Sequence, residues 1–174
     1  RRRGVGTRVT PPHVHRPMKL SSLNDDLAEA GFAPSTKVLS YEMRESTQDE
    51  AEQLGIPQGE GLLAVRRLRY ADNHPLALLT NLIPLDIAPT WQELGENGLY
   101  RCLSARKVEV TSARQVIGAR EATAKEAQEL GETEGAPLLT MNRTGYATDG
   151  RVIEVGQHVY RPSLYSFHFS LFTS

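Results

Sequence analysis

The sequence predicts an α+β domain in which two similar halves share one mostly antiparallel sheet flanked by helices. The first observation is an internal repeat, since residues 50–84 match residues 126–160 without a gap at an offset of 76 (126 − 50). The second is that each copy opens with a Thr-x-x-Glu helix start and continues as two apolar segments around a polar turn, which indicates a hairpin. The period is too long for a solenoid, so two copies indicate a pseudo-symmetric domain. Matching pairs include Glu50/Glu126, Leu54/Leu130, Gly55/Gly131, Arg67/Arg143 and Tyr70/Tyr146.

Helix boundaries follow from capping residues. Ser22 is the predicted N-cap of a short amphipathic helix over residues 21–31, because two aspartates follow in the first turn and Gly31 ends it. Residues 37–44 then predict a strand that leads into the first copy. In each copy the Thr and Glu side chains can form a capping box, and Leu-Gly ends the helix.

The segments between and after the copies complete the pattern. Residues 85–94 predict a proline-interrupted surface segment, and residues 99–106 a short helix. Residues 107–120 predict a strand equivalent to residues 37–44, so that each half consists of strand, helix, strand and strand. Residues 163–174 alternate between apolar and polar side chains, which predicts a half-buried final strand. Its predicted buried face carries Tyr165, Phe167, Phe169 and Leu171, and His168 lies on the other face.

Composition limits the class of protein. The chain has 174 residues, 39% of them hydrophobic and 24% charged, which is typical of one globular domain. A formal charge of −1 gives no overall electrostatic attraction to nucleic acid or an anionic membrane. A single cysteine, Cys102, excludes an internal disulfide and favours a reducing compartment. With no apolar segment of the roughly 18 residues that span a bilayer, we expect a cytoplasmic protein that does not contact membranes.

Catalytic and metal-binding motifs are missing from the sequence. It contains no nucleophile elbow, phosphate-binding loop or H-E-x-x-H motif. His13 and His15 could ligate a metal in an extended segment, but no second cluster of Cys or His complements them. We therefore expect a binding protein with no catalytic residues, no metal and no cofactor.

Two pairs of polar residues could face a ligand. Arg67 and Arg69 lie on one face of a strand, about 7 Å apart at a rise of roughly 3.3 Å per residue, and could converge on one phosphate or carboxylate. A solvated basic stripe or cross-strand ion pairs are the more ordinary explanation of these two residues. Glu154 and Tyr160, six residues apart, also share a face and suit sugar hydroxyls or an amine. An exposed glutamate and a packed tyrosine are the ordinary alternative.

Several of these motifs together resemble a known family. L-S-S-L-N-D-D at residues 20–26, the T-x-x-E-A helix start, R-x-R at residues 67–69 and I-E-V-x-x-x-x-Y at residues 153–160 resemble the effector-binding (UTRA) domain of HutC-type GntR transcription regulators. The resemblance covers about residues 17 to 170. It implies a chorismate-lyase-like fold, a small anionic effector such as a sugar phosphate, and a homodimer. DNA would be bound only through a winged helix-turn-helix domain outside this chain.

The resemblance also implies a domain division and a set of site residues. Residues 1–12 resemble the end of a wing with its linker, and residues 13–174 the effector-binding domain. Leu23 stands where an aromatic residue is frequent, and Leu79 where an acidic one is frequent. We therefore expect the anion-binding end of the pocket to be kept and the sugar-binding end to differ. The implied ligand-binding residues are Leu23, Asn24, Arg67, Arg69, Glu154 and Tyr160.

Two other functions remain open at this point. One is a chorismate-lyase-like enzyme of the same fold, in which arginines anchor a small carboxylated ring. The wing-like residues 3–9 argue against it. The other is a pure interaction module, which would be favoured if the sheet pocket were filled by its own side chains.

Overall fold

The described residues form one large sheet, one small sheet and short helices. The structure, a computed structural model, describes residues 12–17 and 20–171, so the wing-like segment lies almost entirely outside the described residues. The strands are β1 (Val14–Pro17), β2 (Pro34–Glu45), β3 (Gly61–Ala71), β4 (His74–Pro84), β5 (Ser112–Glu121), β6 (Pro137–Tyr146), β7 (Val152–Tyr160) and β8 (Tyr165–His168). The helices are α1 (Leu23–Glu29), α2 (Gln48–Leu54), α3 (Trp91–Glu96), α4 (Leu99–Ser104) and α5 (Ala124–Leu130), with a 3-10 turn at Leu85–Ile87.

The large sheet confirms the predicted α+β class and the two halves. Its strand order is β2-β3-β4-β7-β6-β5, and every neighbouring pair is antiparallel. The first half supplies β2, β3 and β4, and the second half supplies β5, β6 and β7. Strands β4 and β7 meet at the centre, where Leu79 lies opposite His158 and Ala77 opposite Tyr160. Equivalent strands therefore lie at equal distances on either side of the centre.

The predicted capping boxes form in both copies. The Thr47 hydroxyl accepts a hydrogen bond from the backbone N–H of Glu50, whose carboxylate accepts one from the backbone N–H of Thr47 at 3.0 Å. Thr123 and Glu126 repeat this arrangement in α5. The helices end at glycines in the left-handed conformation, where a residue with a Cβ would be strained.

Helices α2 and α5 each pack across the centre of the sheet onto a strand of the other half. α2, from the first half, contacts β7 of the second half as well as β4, and α5, from the second half, contacts β4 of the first. Leu68 and Leu78 of the first half accordingly pack in one cluster with Leu130 of α5. Arg66 on β3 also donates two hydrogen bonds to the carboxylate of Glu129 on α5. This leaves the opposite face of the sheet to α3, α4 and the start of α1.

The segment between the halves differs from the prediction of a surface loop. Residues 85–94 contain the 3-10 turn and the start of α3, and Ile87 and Leu94 are buried in the core. The missed signal was a third capping box, since the Thr90 hydroxyl accepts from the backbone N–H of Glu93 and the Glu93 carboxylate accepts from Thr90. Its T-x-x-E pattern is the same one that predicted α2 and α5.

Two strand boundaries also required correction. The strand predicted from residue 107 begins at Ser112, because Lys107 has a φ of 61° and ends the turn after α4. The final strand, β8, stops at His168, and Phe169 and Leu171 are exposed instead of lying on a buried face. β8 pairs in parallel with β1, a two-stranded sheet that the sequence did not predict.

Candidate functional site

A pocket lies on the face of the sheet opposite α2 and α5, at the starts of α1 and α4. It holds about 390 Å³ of space outside the protein atoms, part of it open to solvent. All six predicted site residues line it, as do several that were not predicted. The lining residues are Ser21, Ser22, Leu23, Asn24, Arg67, Arg69, Leu79, Asn81, Gly98, Leu99, Tyr100, Arg143, Glu154, His158 and Tyr160.

Arg67 and Arg69 point into this pocket from β3 and are buried, each with 2% of its surface exposed. Arg67 Nη2 donates to Asn81 Oδ1 at 2.8 Å, and Arg69 Nη1 donates to Asn24 Oδ1 at 2.7 Å. The Arg67 Nε and Nη1 and the Arg69 Nε have no hydrogen-bond partner. Because both arginines are buried, they do not form the solvated basic stripe that the sequence left open. Their hydrogen-bond partners are the neutral amides of Asn81 and Asn24, so these contacts are not cross-strand ion pairs.

Burial strongly affects the charge of this pair. It lowers the pKa of Arg67 to about 10 and, together with repulsion from Arg67, lowers the pKa of Arg69 to about 9. Both groups remain cationic at neutral pH. Two buried like charges with unpartnered N–H donors are costly unless an anion joins them, because a buried donor normally finds a partner.

Glu154 is the buried carboxylate of the pocket, with 1% of its surface exposed. It accepts hydrogen bonds from the Tyr100 hydroxyl at 2.9 Å and from Asn81 Nδ2 at 2.8 Å. Burial raises the pKa of Glu154, while the bond from Tyr100 and the charge of Arg143 oppose that rise. Burial also raises the pKa of the Tyr100 hydroxyl, which therefore stays protonated as a donor. Asn81 links this group to Arg67 through the two ends of its amide.

Arg143 is a third guanidinium at the pocket, which the site prediction omitted. Its Nη1 donates to the Tyr100 hydroxyl at 3.1 Å and to the Ser21 carbonyl at 3.4 Å. Its Nε and Nη2 both donate to Gln115 Oε1, at 2.9 and 2.7 Å. The repeat already contained the signal, since Arg143 is the counterpart of Arg67. Asn81 could have been found as the polar residue within the apolar strand β4.

Tyr160 closes the end of the pocket nearest the small sheet. It is completely buried, and its hydroxyl lies 3.3 Å from Nδ1 of His158, another unpredicted lining residue. Its ring stacks on Tyr165 of β8, with the centroids 4.3 Å apart. Tyr160 and Glu154 therefore share the pocket face, as their spacing predicted, and Tyr160 also packs against the small sheet.

The histidines that were considered as metal ligands do not line the pocket. His13 and His15 meet His168 of β8 around the hydroxyl of Ser166, with His15 Nδ1 3.0 Å from His168 Nε2. His168 is exposed and forms part of this cluster. Within residues 12–17 and 20–171, no group of three or more His, Cys, Asp or Glu is arranged to hold a metal ion.

The fold and the charged pocket are those of a domain built to bind a small ligand, and the comparisons show its family. The UTRA domain model matches residues 29–166, so the chain belongs to the UTRA domain family. It is the effector-binding domain of a regulator of the GntR type. No helix in the described part of the chain is long and apolar enough to cross a membrane.

Two curated relatives match most of this chain and are named as transcription regulators. The transcriptional repressor NagR of Bacillus subtilis is 29% identical over 170 residues, which cover 96% of this chain and 70% of NagR. The transcriptional regulator Rv0792c of Mycobacterium tuberculosis is 30% identical over an alignment of 179 positions, which spans 98% of this chain and 65% of that protein. These names support the expectation of a regulatory domain over a lyase-type enzyme.

Solved structures show the same fold. A candidate transcriptional regulator from Streptomyces coelicolor is 43% identical with a TM-score of 0.74, covering 82% of this chain and 96% of that one. The effector domain of PhnF from Mycobacterium smegmatis has a TM-score of 0.85, covering 92% of this chain and 100% of that one. Its 22% identity supports the fold alone. The chorismate-lyase-like architecture implied by the motifs is confirmed.

Proposed function

We propose that this domain binds a small anionic metabolite, such as a sugar phosphate, organic acid or phosphonate, and that binding controls the affinity of the regulator for its operator. The observation that carries the proposal is the buried pair Arg67 and Arg69, in which the Nε and Nη1 of Arg67 and the Nε of Arg69 lack partners. A phosphate or carboxylate can accept several such bonds at once, and charge-assisted bonds of this kind are the strong ones. An anion would therefore offset the cost of burying both charges.

The rest of the pocket suits the uncharged part of such a ligand. The carboxylate of Glu154 accepts from hydroxyl or amino groups, and the hydroxyl of Tyr160 can donate or accept. Leu23 and Leu79 give the remaining wall an apolar character. This combination fits a compact metabolite with one anionic group and a few neutral polar groups. It does not specify an amino sugar.

Control of DNA binding would act through two conformations of a homodimer. The relatives are named helix-turn-helix regulators and repressors, and each is longer than the part this chain matches. We propose that this domain operates with such a DNA-binding domain in the cytoplasm. A ligand that binds one conformation more tightly shifts the populations of the two and hence the spacing of paired DNA-binding heads.

A thermal-shift screen tests the proposal. The chain is heated with phosphorylated sugars, organic acids and phosphonates, in wild type and in the Arg67→Ala/Arg69→Ala variant. A ligand at 100 times its dissociation constant adds about 2.7 kcal/mol of stability, which is easily detected. We expect at least one anionic compound to stabilise the wild type and to lose this effect in the variant.

A matched control removes the same charge elsewhere. Arg101→Ala/Arg114→Ala deletes two exposed arginines, and the wild-type shift should persist in this variant. A hit that survives in Arg67→Ala/Arg69→Ala would place the anion at another site. A screen without any hit would favour an interaction module and overturn the proposed function.

A further inference from the structure

We propose that Gln115 is a positioning residue that holds Arg143 at the pocket without neutralising it, and so makes the site selective for ligands with two negative charges. The inference rests on the proposed function, because it concerns the same pocket. Gln115 does not line the pocket, and no motif in the sequence identified it.

The contact between Gln115 and Arg143 is a specific one. Gln115 lies on the edge strand β5 directly opposite Arg143 on β6. Its Oε1 accepts from both Nε and Nη2 of Arg143, at 2.9 and 2.7 Å. The third nitrogen, Nη1, is held by the Tyr100 hydroxyl and the Ser21 carbonyl. All of these oxygens belong to neutral groups, so the guanidinium is fixed in place while its charge remains uncompensated by them.

Other arginines in this chain are held differently. Four of them donate hydrogen bonds from both terminal nitrogens to the carboxylate of a glutamate. For Arg44, Arg106 and Arg120 these bonds are 2.6 to 3.0 Å long. A glutamate at position 115 would be similar in size and would give Arg143 the same kind of ion pair. Glutamine keeps the shape of that contact and removes the negative charge. The four pairs are Arg44 with Glu50, Arg66 with Glu129, Arg106 with Glu93 and Arg120 with Glu126.

The consequence is an excess of positive charge at the pocket. Among its lining residues, the three arginines Arg67, Arg69 and Arg143 face a single carboxylate, that of Glu154. Even with Glu154 ionised, two positive charges remain among the lining residues, and Asp25, which does not line the pocket, acts on Arg69 less than burial and the repulsion from Arg67 do. A dianion balances them and a monoanion does not, and the difference is amplified where water is excluded. Phosphate monoesters, phosphonates and dicarboxylates belong to the favoured class.

Two simple probes test this selectivity. Methyl phosphate is largely a dianion at pH 8, because its second pKa is near 6, whereas dimethyl phosphate is a monoanion of similar shape. Isothermal titration at pH 8 should show that the wild type prefers methyl phosphate by about tenfold or more. In Gln115→Glu the affinity for methyl phosphate should fall by about tenfold, and that for dimethyl phosphate by only a few-fold, so the preference shrinks.

Two further variants separate charge from structure. Gln115→Ala removes the hold on Arg143 without adding charge, so the preference should shrink less than in Gln115→Glu, because Arg143 keeps its charge and its bonds to Tyr100 and Ser21. Ala119→Glu adds the same charge to an exposed position of the same strand, about 13 Å away at roughly 3.3 Å per residue, and should leave the preference unchanged. Thermal unfolding of each variant confirms that it is folded.

The outcomes distinguish this inference from the proposed function. An unchanged preference in Gln115→Glu, or an equal change in Ala119→Glu, would overturn the role of Gln115. A wild type that binds both probes equally would do the same, while leaving the anion site intact. If the wild type binds neither probe and the ligand screen also gives no hit, the proposed function fails together with the inference.

Discussion

Arg67 and Arg143 lie 76 positions apart (143 − 67), at matching points of the internal repeat, and both line the same pocket. The strands that carry them, β3 and β6, flank the central pair β4 and β7 on opposite sides. The approximate two-fold symmetry therefore places the two guanidiniums on the same face of the sheet. The halves differ in what surrounds these arginines, since Arg67 has a second arginine two residues further on and Arg143 is held by Gln115.

The first prediction concerns the cost of the buried cations. Arg69 is almost completely buried, and its Nε has no partner, so it destabilises the ligand-free fold. Replacing a buried ion pair by apolar side chains of similar volume is often neutral or stabilising by about 1–4 kcal/mol, and Arg69, whose side-chain partner is a neutral amide, is compensated less than such a pair. We expect Arg69→Met to raise the free energy of unfolding by about 1 kcal/mol or more and to abolish anion binding. Urea unfolding of the ligand-free protein measures the first effect.

The neighbouring arginine supplies the control. Arg66 donates two hydrogen bonds to the carboxylate of Glu129. Arg66→Met would leave that carboxylate without its partner and should destabilise the fold. The two substitutions are chemically identical and should have opposite signs. A loss of stability in both variants would show that Arg69 is satisfied in the free protein.

The second prediction compares two glycines near the pocket. A Cβ on Gly98, which precedes α4, would lie 2.5 Å from the Oγ and 3.0 Å from the Cβ of Ser22, the N-cap of α1. A Cβ on Gly95 in α3 would meet nothing within 4 Å. We expect Gly98→Ala to cost about 1–3 kcal/mol through overpacking and to weaken ligand binding by displacing α1.

Gly95→Ala should instead stabilise by about 0.5–1 kcal/mol, because alanine is the better helix former. Thermal unfolding of both variants, with a ligand titration of each, checks the pair. Equal melting temperatures for the two variants would contradict the close approach of α1 and α4.

Much of this fold was predictable because its signals are local. Capping boxes and left-handed glycines predicted α2 and α5, and the repeat predicted that the second half copies the first. The predicted strand boundaries were wrong where tertiary contacts determine the end of a strand. β8 ends at His168 because only four residues pair with β1. The six site residues were placed by motif and Arg143 could have been found from the repeat, whereas Tyr100 and His158 depend on which strands and helices meet. Spacing within one element cannot show such contacts.

The third prediction concerns acid stability. A hydrogen bond from Arg120, together with the bonds from Thr123, lowers the pKa of Glu126 from 4.5 to about 2. A carboxyl with a lower pKa in the folded state stabilises the fold above the unfolded pKa, and this contribution is lost as the pH falls from about 4.5 towards 2. We expect Glu126→Gln to cost about 1 kcal/mol at pH 7, since solvent screens the partly exposed Arg120.

The difference in the free energy of unfolding between Glu126→Gln and wild type should disappear as the pH approaches 2. Glu134→Gln changes an exposed glutamate just beyond the same helix and serves as the control. Chemical unfolding between pH 2 and pH 7 measures both variants. A constant difference across this range would mean that the carboxylate charge of Glu126 does not contribute.

The fourth prediction concerns the histidine cluster. Partial desolvation, followed by repulsion from His168 and His13, lowers the pKa of His15 below its usual 6.5. Protonation is thus less favourable in the folded state than in the unfolded state, so stability should fall as the pH drops below about 6.5. We expect His15→Gln to flatten this dependence between pH 5 and pH 8.

His74→Gln changes the first residue of β4, outside the cluster, and serves as the control. Thermal unfolding across the same pH range compares the three proteins. If His15→Gln and wild type lose stability in parallel on acidification, the cluster is not the group that responds to pH.

The exchange of α2 and α5 across the sheet determines how the molecule assembles. Each half offers an apolar surface that the helix of the other half covers, although α2 also packs on strands of its own half. A chain cut between residues 88 and 98 would yield two peptides that have to associate before either becomes ordered. Contacts between residues far apart in the chain form slowly but give an all-or-none transition. The pocket, drawn from both halves, therefore exists only once the whole domain has come together.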